Sequence, residues 1–185
     1  MHLRSHYDLV GKTHAFLSPS KPSWLGYDED KLDRVYSSVK QAQRGTDLHN
    51  LAAELIRLGV RLPDTAKTMN AYVNDCIGWA MSPEQPLYFS DNCFGTADAC
   101  GFKDNTLRIS DLKTGVKEAA MTQLKIYAGL FCLEYRFKPL DIRMELRIYQ
   151  NNKVFLEVPD PDEIYHIIDR IVALDKRLDE LKSGA

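Results

Sequence analysis

The sequence has no long apolar run, no export signal and little net charge. None of its apolar segments approaches the ~20 residues that a helix needs to cross a bilayer. The opening stretch, MHLRSHYDLVGKTH, lacks the apolar core of a signal peptide, so we expect a cytoplasmic protein that does not contact a membrane. The formal net charge of −2 argues against a protein that only coats nucleic acid, because such proteins carry a basic surface. An enzyme with positive charge confined to one cleft is still compatible with this balance.

The cysteines are not spaced as metal ligands, and a phosphate-binding loop is missing. No CxxC pair occurs, which argues against a zinc ribbon. In a reducing compartment the cysteines are expected to act as small buried hydrophobes. There is no GxxxxGK[ST] segment, so the sequence offers no P-loop for a nucleoside triphosphate. The four cysteines are Cys76, Cys93, Cys100 and Cys132.

Apolar periodicity predicts helices in the first part of the chain. Segments 29–39 and 65–79 have helical character. Between them, a helix capped by Thr46 or Asp47 is predicted to end near Gly59. Its apolar positions follow the i, i+3, i+4, i+7, i+8 pattern and are Leu48, Leu51, Ala52, Leu55 and Ile56.

After Pro83 the pattern changes to strands. The runs 86–90, 93–102 and 106–112 are separated by turn signals, and 141–149 alternates apolar and polar residues. The remaining predicted elements are a helix over 117–135, a hairpin partner over 151–158 and a last helix with an apolar stripe, which packs on the domain or faces a second subunit.

These elements predict one α/β domain with a central mixed β-sheet flanked by helices. Its length of 185 residues suits a single core. The expected organisation is a helical part over about 1–82, a core over about 83–158 and a C-terminal helix over about 161–182.

The hairpin around residues 104–105 carries the chemistry. A two-residue turn there pairs Lys103 with Thr106 and puts Asp98 opposite Asp111, with Cβ atoms roughly 5 Å apart. A bulge would shift this register by one, since Asp-Asn is a weaker turn dipeptide than Asn-Gly.

Lys113 follows Asp111 by two residues and is therefore expected on the same face. Two close carboxylates are costly unless a cation lies between them, and oxygen ligands favour Mg²⁺ or Mn²⁺. A neighbouring lysine can orient water or stabilise a phosphate. This combination suits phosphodiester hydrolysis, and a salt bridge on an exposed hairpin is an equal alternative from the spacing alone.

Four motifs in order resemble the RecB-type branch of the PD-(D/E)XK nucleases, including its CRISPR-adaptation members. The matches extend over residues 17–127. The opening Leu17-Ser18-Pro19-Ser20 with Trp24-Leu25 is similar to the start of several phage and CRISPR-adaptation members. The four motifs that follow it are Arg44-Gly45-Thr46-Asp47-Leu48-His49, Gly95-Thr96-Ala97-Asp98, Ile109-Ser110-Asp111-Leu112-Lys113-Thr114-Gly115 and Gln123 with Tyr127.

The resemblance implies a role for each matched residue. Asp98, Asp111, the carbonyl of Leu112 and His49 would bind the metal ion, and Lys113 would position the attacking water. Gln123 and Tyr127, at i and i+4, would orient Lys113 or the DNA backbone. Glu84 is a weaker candidate, because many members have an acidic residue before the first core strand. The cysteines of CRISPR-adaptation relatives lie elsewhere in the chain, so an iron–sulfur cluster is not expected.

The leading function is thus a Mg²⁺- or Mn²⁺-dependent DNA exonuclease for recombination, repair or phage genome processing. A structure-selective endonuclease shares every catalytic residue, and a catalytically silent binding or regulatory protein of the same fold is the third alternative. DNA is the expected partner, with a helicase or a strand-annealing protein beside it, and a homo-oligomer is compatible with the sequence.

Two interpretations are open for some charged and aromatic residues. Arg143 and Arg147 contact phosphate or lie on a solvated strand face, the latter being favoured. Aromatic residues near the N-terminus stack on bases or fill a core; they are Tyr7, Phe16, Trp24 and Tyr27.

Overall fold

The computed structural model describes residues 15–184; Tyr7 and the rest of residues 1–14 lie outside the described residues, as does Ala185. The chain divides into two compact units, one up to Gln43 and the other from Arg44 onward. In the first unit Ser18 is buried. Trp24 belongs to the 3₁₀ helix Pro22–Gly26, and its indole N–H donates a hydrogen bond of 2.9 Å to the Ser18 carbonyl, which fixes the ring.

Helix α1, Glu29–Leu58, is continuous over 30 residues. Asp28 caps its start, with its Oδ1 accepting from the Lys31 N–H at 2.7 Å. The predicted break and cap at Thr46 or Asp47 are wrong, because Gly45 lies inside the helix. A Cβ on Gly45 would lie 3.0 Å from Thr114 Oγ1, so this glycine serves a close approach rather than a helix end. The predicted end is confirmed: Gly59 follows with a φ of +66°, a conformation that suits glycine.

The sheet has the order β1-β2-β3-β4-β5 and is mixed, as predicted. Strands β3 and β4 pair in parallel, and the other neighbouring pairs are antiparallel. Both tight hairpins have two-residue turns with positive φ, Asp104-Asn105 and Asn151-Asn152, which fits the type I′ geometry. The strands are β1 Ser82–Ser90, β2 Cys93–Lys103, β3 Thr106–Leu112, β4 Arg143–Gln150 and β5 Lys153–Glu157.

Helices cover both faces of the sheet. Helices α3, Thr122–Tyr135, and α4, Pro161–Ser183, contribute to one apolar cluster. The other cluster includes residues of α1 and of α2, Thr68–Gly78. The first cluster includes Leu87, Ala97, Leu124, Ala128, Leu146, Ile148 and Ile164, and the second includes Ala52, Tyr72, Val73, Cys76, Ala99, Leu112 and Tyr149.

The face of β4 that the sequence assigned to solvent is largely covered. Tyr149 is fully buried, and its hydroxyl donates to Asp75 of α2 at 2.7 Å. Arg147 forms ion pairs with Asp75 and Glu145, so neither a solvated arginine nor a free phosphate contact describes it. Only Arg143, at the start of the strand, is exposed as expected. The prediction failed because strand alternation carries no information about whether a helix packs on the polar side.

Helix α3 begins at Thr122 rather than at the predicted Lys117. Gln150, buried at the end of β4, hydrogen-bonds the backbone of the preceding segment and holds it in a non-helical path. Its side-chain amide donates to the carbonyls of Gly115 and Lys117, and its Oε1 accepts from the Ala119 N–H.

The apolar stripe of α4 packs on the domain over its first half. Ile167, Ile168 and Ile171 lie against Gly129 of α3, where a Cβ would come within 3.3 Å of Ile167. Farther along the helix, Leu174, Leu178 and Leu181 are exposed. No helix within the described residues 15–184 is both long and apolar enough to span a membrane.

Candidate metal and catalytic site

The candidate site lies where strands β2 and β3 separate. Their ladder has the predicted register, from Lys103 opposite Thr106 to Ala99 opposite Ser110. The next rung, Asp98 opposite Asp111, is not formed. Instead, Asp98 Oδ2 accepts a hydrogen bond of 2.9 Å from the backbone N–H of Leu112. The side chain of Asp98 thus occupies the place of a backbone partner and is fixed at the strand end.

Three residues from three elements bring ligand atoms together beside Asp98. One ligand atom each of His49, Glu84 and Asp98 lies within 4.8 Å of the other two, a spacing that a metal ion can bridge. His49 comes from α1, and its Nδ1 lies 3.2 Å from Asp98 Oδ2. All three residues are partly exposed, so the cluster is accessible to solvent.

Glu84 reaches the cluster through a local distortion of β1. Pro83 pairs with Ala99 and Gln85 with Ala97, which leaves Glu84 opposite Asp98. Its φ is +50°, a left-handed value that is unusual for a residue with a side chain within a strand. Strained backbone of this kind concentrates at functional sites. The sequence indicated Glu84 only as a weaker candidate, and the structure groups it directly with His49 and Asp98.

Asp111 and Lys113 form the second part of the site. The carboxylate of Asp111 is 4% exposed, and its Oδ1 accepts from Lys113 Nζ at 2.9 Å. Its Oδ2 is buried and receives no hydrogen bond from any residue that the structure describes. Lys113 Nζ also donates to Gln123 Oε1 at 3.2 Å, so the lysine is held between a carboxylate and an amide.

Tyr127, the second residue of the predicted helical pair, contacts β2. Its hydroxyl donates to the Thr96 carbonyl at 2.7 Å. A Cβ on Gly95 would lie 3.0 Å from the Tyr127 ring, which explains why a residue without a side chain suits this position. Tyr127 therefore fastens α3 to the strand that carries Asp98, while Gln123 contacts the lysine.

The site has more negative than positive charge in the absence of a cation. Burial raises the pKa of Asp111, and the charge of Asp98 raises it further, against the opposing effects of Lys113 and His49. The hydrogen bond to Asp98 raises the pKa of His49, which burial alone would lower. The negative charges of Asp98, Asp111 and Glu84 act in the same direction on His49.

The residues present fit a hard divalent cation. Carboxylate oxygens are the ligands that Mg²⁺ and Mn²⁺ prefer, and an imidazole is compatible with Mn²⁺. The buried Oδ2 of Asp111 has no partner in the described part of the chain, and a bound cation would provide one. Leu112, whose carbonyl the resemblance names as a ligand, lies between Asp111 and Lys113 with its side chain buried.

The four cysteines lie apart from this chemistry. All are free thiols, and Cys76, Cys100 and Cys132 are buried in the two apolar clusters.

Comparison with known proteins identifies no relative: no protein-family model matches the sequence, and no curated protein matches it. Support for a function therefore comes from the geometry of the site and from the order of the sequence motifs.

Proposed function

We propose that this chain is a metal-dependent DNA nuclease of the PD-(D/E)XK superfamily that acts as an exonuclease in recombination, repair or phage genome processing. The observation that carries the proposal is the arrangement of Asp111 and Lys113. A buried carboxylate, one oxygen of which has no hydrogen-bond partner among residues 15–184, binds a lysine that is also held by Gln123. Beside this pair lies a cluster with the spacing of a metal site.

The metal ligands proposed are His49, Glu84, Asp98, Asp111 and the Leu112 carbonyl. A bound Mg²⁺ or Mn²⁺ supplies positive charge that lowers the pKa of water and offsets the charge of a phosphate. The chain's own contribution is to hold its ligands in place before substrate arrives. Asp98 is fixed by the Leu112 N–H and by His49, and Glu84 by the pairs on either side of it, Pro83 with Ala99 and Gln85 with Ala97.

Lys113 is suited to hold water or a phosphate oxygen next to this site. An ammonium group has three N–H donors, and Asp111 and Gln123 use two of them. The side chain is 31% exposed, so the third donor can reach a molecule that approaches from solvent. Charge that develops on a phosphate oxygen during hydrolysis is stabilised by such a fixed cation.

Cleavage of linear and circular DNA tests the proposal. End-labelled linear duplex and a covalently closed circle are incubated with EDTA, Mg²⁺ or Mn²⁺ and with wild type, Lys113→Ala or Lys103→Ala. The last variant is the matched control, because Lys103 is an exposed lysine at the other end of the same hairpin. We expect metal-dependent loss of the linear substrate with wild type and Lys103→Ala and about 10²–10³-fold slower cleavage with Lys113→Ala.

The other outcomes distinguish the alternatives. Cutting of the circle identifies a structure-selective endonuclease that uses the same residues. Absence of metal-dependent cleavage of either substrate by wild type contradicts the nuclease proposal and favours a binding or regulatory protein.

Compartment and partners are part of the same proposal. Four free thiols suit the reducing cytoplasm, where disulfides are rare. DNA is the proposed partner, and an unwinding or strand-annealing protein would act beside the nuclease.

A further inference from the structure

Two exposed aromatic rings lie side by side on the hairpin that carries Glu84 and Asp98. Tyr88 of β1 pairs with Phe94 of β2 across the ladder. Their ring centroids are 6.3 Å apart with an interplanar angle of 28°, a stacked arrangement. Phe94 is 68% exposed and Tyr88 is 49% exposed. Rings of this size are normally buried or half-buried, so an exposed stacked pair requires an explanation.

The pair lies on the open face of the hairpin. On the other face, Leu87 is buried in the apolar cluster and Gly95 lies against the Tyr127 ring of α3. Because side chains alternate along a strand, Tyr88 and Phe94 point away from α3. The Tyr88 hydroxyl donates to Asp91 at 3.0 Å, which limits rotation of the ring out of this position.

The hairpin ladder leads from the aromatic pair to the candidate metal site. Along β1 and β2 the pair Tyr88–Phe94 is followed by the pair Pro86–Thr96 and then by Glu84, which lies opposite Asp98. Pro86 and Thr96 are exposed, so the path between the rings and the carboxylates is open. Asp98 is four residues from Phe94, roughly 13 Å along a strand. That distance corresponds to no more than about four stacked nucleotides.

We propose that Tyr88 and Phe94 form a stacking platform for unpaired bases of the DNA strand whose backbone enters the candidate site. This inference rests on the proposed nuclease function and names its substrate class as DNA with a single-stranded end. Base stacking on aromatic rings is the usual means by which proteins hold unpaired strands without reading their sequence. A base pair inside a duplex has no free face to offer and a blunt end offers only the outer face of its last pair, so the platform favours frayed or single-stranded ends.

A structural role for the rings makes a different prediction. Cross-strand aromatic pairs also stabilise hairpins, and apolar side chains without a π face keep much of that contact. The double variant Tyr88→Leu/Phe94→Leu therefore separates the two roles, because it retains apolar packing and removes both rings. The swap Tyr88→Phe/Phe94→Tyr retains both rings and is the matched control. Leu156→Ala, an exposed apolar change on β5, controls for nonspecific surface effects.

The test measures DNA binding without cleavage. Fluorescence anisotropy in EDTA follows a labelled single strand of about 12 nucleotides, which is within the site size of single-strand binders, and a blunt duplex of the same length. We expect the Leu/Leu variant to bind the single strand about 5- to 100-fold more weakly than wild type. The swap and Leu156→Ala should bind it as wild type does, and all four proteins should bind the duplex equally.

Salt and metal measurements sharpen the result. Stacking releases few counterions, so the ratio of wild-type to Leu/Leu affinity should stay constant as salt rises. Mn²⁺ affinity, measured by calorimetry, should be the same in both. The platform is contradicted if the Leu/Leu variant binds the single strand as tightly as wild type does. It is also contradicted if this variant loses as much affinity for the duplex as for the single strand, or if wild type does not prefer the single strand.

The design also separates this inference from the proposed function. If wild type cleaves DNA and the Leu/Leu variant binds single strands normally, only the platform fails. If wild type binds single strands through the rings but cleaves nothing in Mg²⁺ or Mn²⁺, only the nuclease fails and the face is a binding surface.

Discussion

The backbone N–H of Leu112 donates to the carboxylate of Asp98 at 2.9 Å, at the point where the β2–β3 ladder would have formed its next rung. A side chain that replaces a backbone partner holds two strands together while it lets their ends diverge. The opening admits His49 from α1 and leaves Asp98 accessible beside Asp111. This hydrogen bond therefore fixes Asp98 at the end of the hairpin, where the candidate site lies.

The backbone at Glu84 should be strained, and substitution of Glu84 by glycine should relieve that strain. Its φ of +50° is unfavourable for any residue with a Cβ, by about 1–2 kcal/mol, whereas glycine adopts it freely. Glu84→Gly should therefore be more stable than Glu84→Ala by about 1 kcal/mol in chemical denaturation with EDTA. Both variants should bind Mn²⁺ more weakly than wild type. If Glu84→Ala unfolds with the same free energy as Glu84→Gly, the strand is not strained at this position.

Cys93 should be the fast-reacting thiol of the native protein. Burial raises the pKa of all four thiols, to about 12 for Cys76 and Cys100 and to about 11 for Cys132, but Cys93 is partly exposed whereas the other three are buried. Since the thiolate is the reactive form, these three should react with Ellman's reagent at pH 8 only on unfolding. We expect one fast equivalent per chain, absent in Cys93→Ser. A rapid phase that persists in that variant would contradict the packing of the cysteines.

Glu145 should contribute stability that is lost in acid. Burial alone would raise the pKa of its carboxyl group, but the hydrogen bond and charge of Arg108 and the charge of Arg147 outweigh this effect and lower it. A carboxyl group with a lowered folded-state pKa stabilises the protein above its unfolded-state pKa. The contribution is lost as pH falls through the lower, folded-state value.

The measurement is the midpoint of urea unfolding between pH 7 and pH 3 for wild type and Glu145→Gln. The gap between the two proteins should be largest at pH 7 and should narrow toward pH 3. A gap that widens in acid would have the wrong sign for the ion pairs with Arg108 and Arg147.

Short-range sequence information predicted the hairpin register well. A two-residue turn at Asp104-Asn105 fixes the pairing of β2 with β3 without help from the rest of the fold, and the structure has that register. It did not predict where the pairing ends, because the Asp98 carboxylate competes for the Leu112 N–H only when the strands already lie together.

Long-range packing limited the rest of the prediction. Gly45 looked like a helix break, but its role depends on Thr114, which is distant in sequence. Arg147 was expected on a solvated strand face, but the packing of α2 places Asp75 within ion-pair distance of it. Glu84 lies in the candidate metal-binding group because of its left-handed backbone and its position in β1, neither of which composition or periodicity encodes.

The most direct test of the central claim is the rate of Mn²⁺-dependent cleavage of linear DNA by Asp111→Asn, with Mn²⁺ binding measured on the same sample. The amide keeps the shape of the side chain and removes the negative charge that faces Lys113 and that the proposed metal ion would share. We expect Asp111→Asn to lose both Mn²⁺ affinity and cleavage, the latter by at least about 10²-fold. Cleavage by Asp111→Asn at the wild-type rate would contradict the assignment of this site.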